Sequence, residues 1–159
     1  MQPDIHATAF QDLIPGNACF GCGPHNHGGL RIRSYWDGDE SVCTFMPEPH
    51  HCAGPTTILN GGIIASIMDC HCVGTAIAQL YRVENREIGS TPTIWCATGS
   101  MTVNYLRPTP IDKPVLLRAR ILETRPKKVT LHCSLYSGEH ECANASVIAV
   151  RVPDDWRAD

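Results

Sequence analysis

Four runs in the second half of the chain alternate apolar and polar positions with a period of two. They cover about 94–106, 114–123, 127–136 and 141–152, and the breaks between them are Arg107-Pro108-Thr109-Pro110, Thr124-Arg125-Pro126 and Ser137-Gly138. Val115, Leu117, Ala119 and Ile121 face one way in the second run, and Val129, Leu131, Cys133 and Leu135 do so in the third. Each predicted strand therefore has one core face. Near the start, Leu30, Ile32, Ser34 and Trp36 alternate with Arg31, Arg33 and Tyr35, and Asp37-Gly38-Asp39 turns the chain into a second strand over 41–46. Between these groups the period changes. Ile63, Ile64, Ile67, Met68, Cys72, Ala76 and Leu80 surround most of a helix predicted over 60–81, with Asn60 as its N-cap. A helix so apolar must be wrapped by other elements. The order ββαββββ predicts an α+β fold, a curved, mainly antiparallel sheet around one long central helix.

Length bears on organisation. The chain has 159 residues, close to the roughly 150 expected of one domain. The expected division is an N-terminal arm over 1–16, ending in Pro15-Gly16, one domain over 17–152 and a short tail over 153–159. The apolar stretch 61–80 is long enough to span a bilayer, but Asp69 and His71 lie in its middle, where a carboxylate is costly in lipid. It is read as a buried helix, with no membrane partner. A net charge of −3 argues against a general nucleic-acid binder. Nine cysteines, an odd number, with no charged leader and apolar run before them, point to reduced thiols and a cytoplasmic location.

Two places on the predicted helix carry chemistry. Asn60-Gly61-Gly62 leaves the first backbone N–H groups bare of side chains, at the positive end of the helix dipole. Such donors suit an anion or a carbonyl oxygen gaining charge, and equally an ordinary capped helix packed under a loop. Asp69 is a carboxylate in an apolar helix, which makes it a candidate base or nucleophile, or else a group held by a hydroxyl or facing solvent. Eight residues separate Gly61 from Asp69, about 12 Å along one helix. If both act on one carbonyl, two antiparallel helices from two subunits must bring them together, twice in an isologous dimer.

Asn60-Gly61-Gly62, Asp69 and the later Thr102-Val103-Asn104-Tyr105-Leu106-Arg107-Pro108 together resemble the hotdog-fold acyl-CoA thioesterases of the PaaI-like family. Cys19-Phe20-Gly21-Cys22-Gly23-Pro24, followed by Gly29-Leu30, is similar to the leader of one of its subgroups. The resemblance spans roughly residues 17–152. It implies hydrolysis of an acyl-CoA thioester, without a cofactor, by a homodimer or a tetramer built as a dimer of dimers. The Gly61 N–H would polarise the carbonyl, with Gly62 beside it, and Asp69 of the partner subunit would activate water or attack directly. Thr98 falls where some members orient the water or the carboxylate. Two positions depart from the family: Asn60 stands where most members have histidine, and Gly54 where several carry an asparagine or glutamine that contacts the thioester. Weaker turnover, a shifted substrate, or a module that binds an acyl-CoA or acyl chain without efficient turnover is the alternative those departures motivate.

The nucleotide part of coenzyme A calls for basic groups, and Arg107, Arg125, Lys127 and Lys128 at strand ends are the candidates. Cys19-x2-Cys22-x4-His27 offers three ligands of a small zinc knuckle, but Ile32 stands where the fourth is due. Distant His50, His51 or Cys52 would have to complete a zinc-stabilised interaction protein, and no metal is the preferred expectation. Asp69 and His71 diverge by about 200° around the helix, so they do not form one catalytic set, and Cys70 and Cys72 are read as small apolar residues.

Overall fold

The computed structural model describes residues 7–157, and its architecture is the one expected: six antiparallel strands around one long helix. A short helix α1 (Phe10–Leu13) precedes the hairpin β1 (Tyr35–Asp37) and β2 (Glu40–Phe45). The central helix α2 (Gly61–Val83) is followed by β3 (Trp95–Tyr105), β4 (Val115–Arg125), β5 (Lys128–Ser137) and β6 (His140–Val152). The sheet order is β1-β2-β4-β5-β6-β3, so β1 and β3 are its edges. Arg118 joins the hairpin to β4 through Asp37 and Glu40, each at 3.0 Å.

The period-two reading identifies the inner face. Val115, Leu117, Ala119, Val129, Leu131, Cys133 and Leu135 are all buried, against Ile67, Met68, Cys72, Ala76 and Leu80 of the helix. Burying a side chain of this size contributes roughly 1.5–3 kcal/mol. That explains a 23-residue helix apolar on nearly every side: the sheet, not lipid, covers it.

Two differences from the sequence reading have physical causes. The first strand is shorter, because Leu30 and Ile32 donate their amides to Phe20 and Gly21 of the glycine-punctuated turn rather than to a strand. Arg31, at φ +51°, breaks the extended run. Leu30, Ile32 and Ser34 are nonetheless buried, so the alternation found the inward face without finding its partner. The described part of the expected arm, moreover, packs into the body. Phe10, Gln11 and Ile14 are buried, and Gln11 Nε2 donates to Ser34 Oγ at 2.9 Å. Residues 1–6 of that arm and the last two of the tail lie outside the described residues.

Candidate active site

Asn60 shapes the first turn of α2. Its Oδ1 accepts the amides of Gly62 at 2.7 Å and Ile63 at 3.2 Å, which corrects the expectation of several bare donors. The Gly61 N–H is the first-turn donor left over among the described residues. The same cap leaves the Asn60 amide nitrogen as a further donor at the helix mouth. On the other side, Tyr105 donates its hydroxyl to the Gly61 carbonyl at 2.7 Å. A side chain at Gly61 would meet the Tyr105 ring at 3.4 Å, so glycine lets the strand end approach the helix start. Tyr105 belongs to the run Thr102 to Pro108, and its signal in the sequence is only that it follows Asn104 at the end of a strand. A cleft at this end is lined by Gly61, Ile64, Tyr105, Arg107 and Thr109.

Gly54 lies on the exposed loop leading to this helix, with nothing within 4 Å of where a side chain would begin. Arg107 is near the helix mouth and meets His140 at 3.2 Å. Arg125 is at the far end of the helix, beside Leu80, Val83 and Glu84, and pairs with Glu123. Lys127 and Lys128 follow it in the same β4–β5 turn. Within one chain only Arg107 is therefore at the same end as Gly61.

Asp69 opens into a different cavity, of about 250 Å³, whose lining includes Asn17, Cys19, Cys22, Cys70, Trp95 and Thr98. Thr98 Oγ1 donates to Asp69 Oδ1 at 2.5 Å. A bulge places it there: Thr98 pairs with Ala149 and Ser100 with Ile148, leaving Gly99 as the extra residue. A side chain at Gly99 would strike Val150 at 2.7 Å. Gly99 inside a strand is the signal that sequence reading passed over. Burial raises the Asp69 carboxyl above its ordinary range, the Thr98 hydrogen bond opposes the rise, and charge on Cys19 adds to it. A partly desolvated carboxylate of this kind is a stronger base than one in water.

The zinc-knuckle spacing is met differently from expectation. Cys19 and Cys22 do approach a third ligand-type atom, but it is Cys70 Sγ and not His27. His27 lies on another face, in a shallow cleft with Glu48, His50 and His51. Cys70 was read as a small apolar residue, and nothing in a spacing of fifty-one residues from Cys19 announces the contact. Thus Gly61 and Asp69, on one helix, face separate cavities, while Thr98 and Asp69 meet.

Comparison with known proteins bears on the family and the fold. The family model of the thioesterase superfamily matches residues 56–143. A thioesterase superfamily protein from Shewanella loihica is 33% identical, with a TM-score of 0.63, over 77% of this chain and 91% of that one. The PaaI protein of the Escherichia coli phenylacetic acid degradation operon is 14% identical at a TM-score of 0.63, over 78% of this chain and 81% of its own. A Streptococcus mutans protein solved with acetyl-CoA bound is 12% identical at 0.61, over 76% and 88% of the two chains. No curated protein matches.

Proposed function

The chain belongs to the thioesterase superfamily, and from that premise we propose that it hydrolyses an acyl-CoA thioester in a site completed by a second copy of itself. The observation that carries the reading is the division of labour along α2. One free amide stands at the helix start, and one desolvated, Thr98-held carboxylate lies two turns on, in a separate cavity. A carbonyl polarised at Gly61 needs a base closer than about 12 Å, and an antiparallel partner helix supplies one.

In this reading the thioester oxygen sits against the Gly61 N–H, with Gly62 giving the backbone clearance and the Asn60 amide nitrogen alongside. Asp69 of the partner subunit takes a proton from water, whose oxygen bonds to the carbonyl carbon. The carbon–sulfur bond then breaks, and the departing thiolate takes up the proton. Direct attack by the carboxylate, giving an anhydride that water opens, uses the same residues. Thr98 holds the carboxylate in orientation. Arg107, near the Gly61 end, is the basic side chain best placed for the coenzyme A phosphates. The choice of coenzyme A is supported by the Streptococcus mutans relative, which was solved with acetyl-CoA. A homodimer is the smallest competent assembly, and a dimer of dimers keeps the same paired sites. Nine free cysteines suit a reducing compartment such as the cytoplasm.

The test is thiol release from short-chain, medium-chain, long-chain and aromatic acyl-CoAs, with wild type beside Asp69→Asn. The expected result is turnover by the wild type that falls at least about a hundredfold in the variant. Gly54 favours a second reading, since that exposed position offers no side chain to a thioester. An acyl-CoA-binding module would retain ligand without releasing thiol, and wild-type binding without turnover would replace the enzyme by that module.

A further inference from the structure

Three thiols beside Asp69 have no part in the proposed hydrolysis. The sulfur atoms of Cys19, Cys22 and Cys70 lie within 4.8 Å of one another, and Cys19 Sγ is 3.6 Å from Cys70 Sγ. A tetrahedral ion bonded to sulfur at about 2.3 Å requires sulfur–sulfur edges of about 3.8 Å. The trio therefore needs only small adjustments to hold one.

The chain around these thiols is built to keep them there. In Cys19-Phe20-Gly21-Cys22-Gly23 the Gly23 N–H closes the turn onto the Cys19 carbonyl at 2.7 Å. Donors aimed at sulfur stabilise a thiolate, the form that binds metal. Asn17 is itself buried. It accepts the Cys19 amide at 3.1 Å and sends its Nδ2 to the Cys22 sulfur at 3.4 Å. A side chain at Gly21 would lie 2.2 Å from Cys70 Sγ, and one at Gly23 would lie 2.7 Å from Cys19 backbone atoms. Two glycines thus let the turn sit directly on the helix at Cys70.

Charge points the same way. Among the described residues, the cavity beside the thiols is lined by Asp69 and by no lysine, arginine or histidine. A carboxylate and three cysteine sulfurs lining one cavity without a cationic side chain suit a cation.

We propose that Cys19, Cys22 and Cys70 form a three-thiolate site for zinc, which ties the leader turn to the central helix beside Asp69. Among the described residues no carboxylate or imidazole joins the three sulfurs within ligand range, so solvent from the cavity takes the fourth position. Binding displaces the thiol protons to solvent, with no change of oxidation state. The reading revises the expectation of no metal and replaces His27 by Cys70 in the ligand set.

The full chain, purified under reductant without chelator, is assayed for zinc. After stripping, it is titrated with cobalt(II) while the thiolate-to-cobalt charge-transfer band is followed. About one ion per chain and a strong band are expected, with Cys19→Ser, Cys22→Ser and Cys70→Ser each falling below about a fifth of that. Cys19 is exposed, so its variant retains the fold and separates lost ligation from lost structure. His27→Ala and Asp69→Asn keep the band. Zinc below about a fifth of an ion per chain with no cobalt band in the reduced wild type would overturn the site. So would a band surviving in Cys19→Ser, or a Cys19–Cys70 disulfide, found in place of metal, that persists through purification under reductant. Loss of the band in Asp69→Asn would overturn the solvent-held fourth position. The metal count does not depend on thiol release, so this proposal and the thioesterase reading fail separately.

Discussion

Asp69 and His71 are two residues apart on the same apolar helix, and their surroundings could hardly differ more. His71 is fully buried, with partners for both ring nitrogens: Nδ1 is 2.8 Å from Ser34 Oγ, and Nε2 is 3.2 Å from Ser41 Oγ and 3.3 Å from the Ser41 carbonyl. Ser34 also accepts from Gln11, and Ser41 lies 2.6 Å from Thr75, whose hydroxyl donates to the His71 carbonyl. The chain closes with the proton on Nε2 and the imidazole neutral. Asp69 has Thr98 on one oxygen and a cavity before it. A polar residue in an apolar helix is therefore not by itself a sign of chemistry. What distinguishes the two is whether the protein has used up the group's bonding capacity.

The contrast predicts opposite consequences, and the largest is structural. His71→Leu leaves the Ser34 hydroxyl without its acceptor and Ser41 without its donor, at about 1–3 kcal/mol for each stranded group. A loss of about 2–6 kcal/mol in urea-measured stability is expected, with turnover per folded molecule unchanged. If His71→Leu instead abolished turnover in protein that remained folded, the contrast would be broken. The same histidine sets an acid limit. Burial pushes its pKa down to about 4 from an ordinary 6.5, so the unfolded chain binds the proton first as pH falls. Its stabilising contribution is complete above pH 6.5 and is lost as pH falls toward 4, in all on the order of 3 kcal/mol. Urea unfolding across that range, with chelator present so that metal binding at neighbouring Cys70 plays no part, should show this slope in wild type and a flatter one in His71→Gln.

Asp69→Asn is the mirror image. A hundredfold fall in thiol release corresponds to about 2.7 kcal/mol of lost transition-state stabilisation. Stability should change by less than about 1 kcal/mol, because asparagine still accepts from Thr98. A variant with wild-type turnover and damaged stability would make Asp69 a second His71.

Where the sequence was legible, the signal was local. The period of two located β3 to β6 to within a residue or two, and Asn60 marked the start of α2, because caps and alternation act over a few residues. The hairpin's first strand was overestimated, since Leu30 and Ile32 spend their amides on a turn ten residues away that alternation does not register. The site was legible only in pieces. Asp69 stood out as a charge in an apolar run, but its contact with Thr98 spans 29 residues and depends on the Gly99 bulge. The approach of Cys70 to Cys19 likewise exists only once the leader has docked on the helix.

Smaller changes sharpen the comparison by altering how tightly Asp69 is held. Thr98→Val removes the one hydrogen bond given to the carboxylate by a side chain among the described residues, and a fall in kcat of about tenfold is expected, equal to about 1.4 kcal/mol. KM should be little changed, and Thr98→Ser should recover most of the rate because it keeps the hydroxyl. Equal rates in the valine and wild-type proteins would reduce Thr98 to an ordinary strand residue.

The smallest effect belongs to the helix start, where Tyr105→Phe deletes the hydroxyl that donates to the Gly61 carbonyl. Tyr105 is more than half exposed, so water replaces the lost donor and the cost in stability is about 0.5–1.5 kcal/mol. The ring still lies against Gly61, which keeps the first turn near its place. Turnover should therefore drop only a few-fold, with the loss appearing in kcat if the amide is used in the transition state and in KM if it only binds substrate. Tyr105→Ala removes the ring as well and should cost more in both. If phenylalanine and alanine behave alike, the hydroxyl rather than the ring is what holds the Gly61 turn.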